Sequence, residues 1–182
     1  MRRSVVRGGI LVLLGVIAIP FVQGNALRWR HPHYPKTVEM RLGTEPSSPT
    51  IAVEHITVTF NAEGFASAKP GATWHLGGAA LELTGKTTIG GKTFEDGDYR
   101  LLARKVDDTA WELVVDPKGQ AFRRELSDEA VAITTRFVDA QPVSEHLRCD
   151  IQPMGGKDAT GIQLEVHFDQ YAAFATVELA KE

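Results

Sequence analysis

The stretch Gly71–Val115, GATWHLGGAALELTGKTTIGGKTFEDGDYRLLARKVDDTAWELVV, decides the fold class. Its short apolar runs are cut at close intervals by Gly77-Gly78, Gly85-Lys86, Gly90-Gly91, Asp96-Gly97 and Asp107-Asp108. Glycine takes positive φ without steric cost and aspartate hydrogen-bonds its own backbone, so these pairs read as turns. Between them the side chains alternate. Tyr99, Leu101 and Ala103 share one face, and Trp111, Leu113 and Val115 share one face of the next run. Period two is the pattern of a half-buried strand. The stretch predicts a β-meander with hairpins at Gly90-Gly91, near Asp96-Gly97 and at Asp107-Asp108, and no helix of useful length.

The flanking chain continues in the same style. Upstream, Thr37–Leu42 reads as a first strand and Gly43–Pro49 as a loop. Ile51–Phe60 alternates, with Ala52, Ile56, Val58 and Phe60 the better core face and Val53, His55, Thr57 and Thr59 opposite. Asn61–Gly71 is broken by glycine and proline and reads as a connection between edges or sheets. Downstream, Asp116-Pro117-Lys118-Gly119 is a turn, and Ala121–Leu126 is a short strand or an irregular edge. Val131–Val138 alternates as one strand. Ser144–Ile151 buries Leu147, Cys149 and Ile151. Ile162–Phe168 is the clearest strand with one wet face, showing Glu165 and His167 to solvent, and a strand near Phe174–Leu179 ends the chain. Roughly ten short strands without crossover helices predict an all-β fold, an antiparallel β-sandwich or flattened barrel.

At 182 residues the chain holds one domain large enough to need no disulfide or metal staple. The lone Cys149 has no cysteine partner in the chain and reads as a small core residue. Residues 1–26 are tripartite: basic Arg2, Arg3 and Arg7, an apolar run of roughly fourteen residues over Gly9–Val22, then Gln23-Gly24-Asn25-Ala26. The run is shorter than the roughly twenty residues of a spanning helix. It reads as a secretory signal peptide or as an uncleaved membrane anchor, and both export the domain to a periplasmic, secreted or membrane-tethered location. Residues 27–50 form an extended linker and first strand, and 51–182 the β-domain. Without the leader's three arginines the net charge falls from −3 to −6. That argues against nucleic acid as a partner and leaves the membrane to residues 1–26 alone.

The order of motifs carries a resemblance. Trp74-His75-x-Gly77-Gly78-Ala79 is followed by Ile89-Gly90-Gly91-Lys92, Asp96-Gly97-Asp98-Tyr99-Arg100-Leu101 and Trp111-Glu112-Leu113-Val114-Val115. This succession resembles DUF2911, a bacterial domain family of unknown function, in which Trp-Arg-x-Gly-Ala-Asn precedes a Gly-Gly-Lys hairpin and a Trp-containing strand. The resemblance covers most of the chain beyond the leader. The chain departs from the family where His75 replaces Arg and Gly78-Ala79 replace Ala-Asn. It departs again at Asp128-Glu129-Ala130-Val131, which lacks the family's downstream Arg. The resemblance places Asp128, Ser144 and Glu145 in regions aligned with family positions.

Several reaction classes lack their signatures. Gly85-Lys86-Thr87 and Gly91-Lys92-Thr93 resemble the end of a phosphate-binding loop, but Ala80 and Lys86 stand where its first glycine belongs and no helix follows. There is no G-x-S-x-G, H-E-x-x-H or C-x-x-C. Alternation places His55, His146 and His167 on solvent-facing sides of their strands. His31-Pro32-His33 is a candidate copper or zinc pair without a further ligand set, and no cofactor is implied. His75 beside Trp74 is the pair that points to chemistry. With Glu145 in reach it would serve as an acid–base pair of an envelope hydrolase. Without it, Trp74, His75, Tyr99 and Glu145 are candidate contacts for a small molecule, glycan or partner protein, with Trp29 a further exposed aromatic. The sequence thus favours a non-enzymatic binding domain, against a hydrolase or a membrane-tethered structural accessory.

Overall fold

The computed structural model of the chain describes residues 33–154 and 161–180. The leader, Trp29 and His31 lie outside the described residues. The strands are β1 (Pro35–Arg41), β2 (Thr50–Ile56), β3 (Thr73–Trp74), β4 (Ala80–Thr84), β5 (Thr87–Ile89), β6 (Lys92–Phe94), β7 (Gly97–Lys105), β8 (Trp111–Asp116), β9 (Val131–Ile133), β10 (Arg136–Pro153) and β11 (Ile162–Leu179). One short helix, α1 (Ala62–Ser67), lies in the connection after β2.

Among the described residues the pairing is antiparallel throughout and forms two sheets, with no closed barrel. The seven-stranded sheet runs β1-β2-β4-β7-β8-β9, with β3 pairing β7, and the four-stranded sheet runs β10-β11-β5-β6. Ile51, Val53, Leu81, Leu83, Leu101, Leu113 and Val115 of the first sheet share one core with Ile89, Leu147, Cys149, Ile151, Leu164, Val166 and Phe168 of the second. Removing this apolar area from water drives the two layers together.

The predicted turns at Gly90-Gly91 and Asp107-Asp108 are hairpins, β5–β6 and β7–β8. The one at Asp96-Gly97 is not. Strand β6 belongs to the four-stranded sheet and β7 to the other, so Glu95-Asp96 carries the chain between layers. The neighbouring crossing at Gly85-Lys86 runs alongside, and Asp96 Oδ2 accepts a hydrogen bond from Gly85 N at 3.1 Å. Local alternation is blind to such a crossing, because a strand that changes sheets can keep its period.

The same blindness explains two further corrections. Val131–Val138 is two strands: β9 ends at Ile133, and Thr135 Oγ1 caps the break by donating to Ile133 O and accepting from Leu113 N. The core face of β2 is Ile51, Val53 and His55, not Ala52 and Ile56. Strand β2 ends at Ile56, and residues 58–60 then move onto the free edge of β10 in the other sheet. There Leu147 N donates to Val58 O and Phe60 N to Glu145 O. The change of partner re-phases the alternation, so Val58 and Phe60 pack against the core although they follow the opposite register in sequence.

His55 and His167, predicted on wet faces, are buried, while His146 is half-buried. His55 Nε2 accepts the Cys149 N–H at 3.2 Å. A side chain there supplies the acceptor that β2, having veered away, no longer offers to β10. His167 and Glu165 are covered on the outer side of β11, where Arg148 donates to Glu165 Oε1 at 3.1 Å and Gln152 Nε2 donates to Glu165 Oε2. Strand β11 is therefore not wet on one face.

Candidate functional site

Strands β3 and β4 lie end to end along β7, Trp74 opposite Ala103 and Ala80 opposite Arg100. Between them His75–Ala79 leave the line of the sheet. Leu76, Gly77 and Gly78 all take left-handed backbone, with φ of 49°, 66° and 75°. The excursion brings Gly77 O to Ile56 N at 3.1 Å. A Cβ on Gly77 would lie 2.2 Å from the Ile56 carbonyl oxygen, so only glycine fits. The Trp-His-x-Gly-Gly motif is thus first a device for interrupting a strand. Its by-product is to set Trp74 and His75 at the mouth of a cleft.

That cleft has a volume of about 360 Å³. Its walls are Val58–Asn61, Gly64, Phe65 and Ala68 of the α1 connection, Ala72–His75, Trp111 and Arg124. Aromatic rings form most of the apolar lining. Phe65 is stacked on Trp111 at 5.0 Å and 15° and on Tyr171 at 5.0 Å and 26°. It meets Phe60 edge-on at 5.2 Å, and Trp74 stands edge-on to Phe168 at 4.9 Å. These offset and edge-to-face arrangements are the ones ring quadrupoles favour. One half-buried side chain therefore holds α1 down. Asn61 caps the helix by accepting from Gly64 N, and the nearly buried Lys105 donates Nζ–H to Ala68 O at its other end, 2.8 Å away.

His75 is half-buried, edge-on to Phe122 at 5.7 Å. Gly78 N–H donates to the His75 carbonyl at 2.8 Å and, more weakly, to the ring Nδ1 at 3.3 Å, an arrangement that suits the tautomer with its proton on Nε2. Burial, and then the Arg124 charge, hold the imidazole below its ordinary pKa, so the ring is neutral at pH 7. Arg124 sits on the loop after β8, which a buried carboxylate organises. Asp116 accepts from Ser127 Oγ at 2.5 Å, Ser127 N at 2.8 Å and Lys118 N at 3.0 Å. Burial pushes the Asp116 carboxyl up, but these hydrogen bonds outweigh it and leave the pKa below the usual carboxylate range. Thr73 Oγ1 then donates to Arg124 O and ties the loop to β3.

The structure brings Trp74 and His75 together in the cleft and leaves His33, Tyr99 and Glu145 outside its lining. Glu145 is exposed, its backbone carbonyl serves Phe60, and no hydrogen bond joins its side chain to His75. Tyr99 packs edge-on against Phe94 at 5.5 Å and donates its hydroxyl to Glu95 O. His33 Nδ1 lies 2.7 Å from Thr57 O, and among the described residues no group of His, Cys, Asp and Glu is arranged to hold a metal ion. Phe60, Phe65, Trp111, Asn61 and Arg124 were invisible as site residues in the sequence. The signals available were the Asn61-x-x-Gly64 cap and the Arg123-Arg124 pair, both local and neither informative about distance. No protein-family model, curated protein or solved structure matches this chain.

Proposed function

We propose that this is an exported, non-enzymatic binding domain whose aromatic cleft takes a small molecule with a flat apolar body. The observation that carries the reading is the convergence of Phe60, Phe65, Trp74 and Trp111 on one concavity of about 360 Å³, within the size range of small-ligand pockets. Binding is favoured over hydrolysis because no carboxylate lines the cleft beside His75 among the described residues to orient the imidazole, and because the Nδ1 lone pair already faces the Gly78 N–H that it shares with the His75 carbonyl. A general base needs a free lone pair or a group that orients it. Export rests on the tripartite leader, and the resemblance to DUF2911 is consistent with a domain of this kind.

The test is calorimetric titration of the full chain with 1-naphthylmethanol and 1-naphthoate, repeated on Ala72→Leu, which fills the cleft from its wall. Saturable one-site binding of either probe, weakened about tenfold or more by the substitution, is expected. Absence of binding by both probes, or binding unaffected by Ala72→Leu, would overturn the reading.

A further inference from the structure

The polar atoms of the cleft are unevenly spent. Two of its side-chain acceptors are used internally: Asn61 Oδ1 takes the Gly64 N–H, and His75 Nδ1 shares the Gly78 N–H with the His75 carbonyl. The donors are not. His75 Nε2–H follows from the tautomer, the Asn61 amide retains its N–H groups, and Arg124 lines the same space. Arg124 is in none of the ion pairs within 4.0 Å among the described residues, and its backbone carbonyl, not its side chain, ties the loop to Thr73. The acidic neighbour Glu125 accepts the Arg124 backbone N–H at 3.2 Å, and backbone N–H groups, then the Arg123 and Arg124 charges, hold its carboxyl below the ordinary range without an ion pair closing. A site that keeps a cation and neutral N–H donors is complementary to an acceptor-only group.

Deepening the proposed binding role, on which it rests, we infer that the ligand class is an apolar body ending in a carboxylate, with the carboxylate held by Arg124 and the His75 Nε2–H. Arginine matches a carboxylate through two parallel N–H donors, and a neutral imidazole adds a third donor without repelling the guanidinium. The apolar body lies against Trp74, Phe60 and Trp111. Both an aryl carboxylate and an alkyl carboxylate carry this chemistry.

The experiment compares 1-naphthoate, its neutral counterpart 1-naphthylmethanol and decanoate on the full chain, on Arg124→Gln and on Arg124→Lys. In the parent the naphthoate is expected to bind about tenfold or more tightly than the alcohol, and to weaken as salt rises. Arg124→Gln is expected to abolish that preference by weakening naphthoate far more than the alcohol, and Arg124→Lys to restore part of it. Decanoate losing affinity in step with naphthoate supports the carboxylate assignment for an alkyl source, and naphthoate alone doing so supports it for an aryl source. Equal binding of acid and alcohol, unmoved by Arg124→Gln, would overturn the carboxylate assignment and leave the aromatic cleft standing. Failure of every probe would remove the binding reading itself.

Discussion

Replacing His55 with Gln is expected to flatten the acid side of this protein's stability curve. His55 is 1% exposed and uses Nε2 to accept the Cys149 N–H. Protonation would put a proton where that N–H already points, and would charge a ring surrounded by core. Burial, and then the positive field of Lys36, hold the pKa below its ordinary value of 6.5, against weaker upward pulls from the Leu147 backbone and Asp150. The sign follows from linkage: the unfolded chain takes up the proton near pH 6.5 and the folded chain does not, so stability is full above that pH and is lost below it. One withheld proton costs at most about 1.4 kcal/mol per pH unit, hence no more than about 2 kcal/mol between pH 7.5 and 5. Gln can still accept from Cys149 N but does not titrate. Urea unfolding of parent and His55→Gln at half-unit steps over that range, with equal m-values, should show the parent losing stability more steeply by up to that amount. Parallel curves would mean that His55 is protonated equally in both states, and the argument from burial would fail.

Gly77→Ala should be the most damaging small substitution in the Trp74 motif. It combines φ of 66° with a Cβ 2.2 Å from a backbone oxygen, and a loss of about 3 kcal/mol or more, read as a fall in the urea midpoint, is expected. Asp116→Ala strands the Ser127 and Lys118 donors. It should cost about 2–4 kcal/mol and speed tryptic cleavage after Arg123 and Arg124 in the released loop. Phe65→Ala removes the ring shared by Trp111, Tyr171 and Phe60, at an expected cost of about 2–3 kcal/mol in the same assay. Cys149, whose thiol burial pushes up to about 12, should resist maleimide at pH 8 in the native protein and react on unfolding.

The meander from Tyr99 to Val115 was legible because each strand and its hairpin are contiguous, and a period of two fixes which side chains face the core. Asp107 illustrates why such a turn is readable: its Oδ1 accepts from Thr109 N and Ala110 N, all within three residues. Sheet membership was not legible. Glu95-Asp96 and Thr134-Thr135 look like any other turn, yet each moves the chain to the opposite layer. His55 illustrates the limit for burial, since the group that makes a buried histidine tolerable is the Cys149 N–H, 94 residues away in sequence. At the site, Trp74 and His75 were found because they are adjacent. Arg124 was not, because its place in the cleft depends on the Asp116 latch and on Thr73, 51 residues away.

The passage of residues 55–60 from one sheet to the margin of the other also bears on solubility. Strand β10 is 18 residues long and ends its sheet, a row of open amides of the kind that recruits a second chain into an extended sheet. Between Glu145 and Cys149 those amides are already occupied by Phe60, Val58 and the imidazole of His55. A variant that frees this segment would therefore expose a templating edge and lose the Phe60 wall of the cleft in the same event. Self-association and loss of ligand binding should appear together in such a variant.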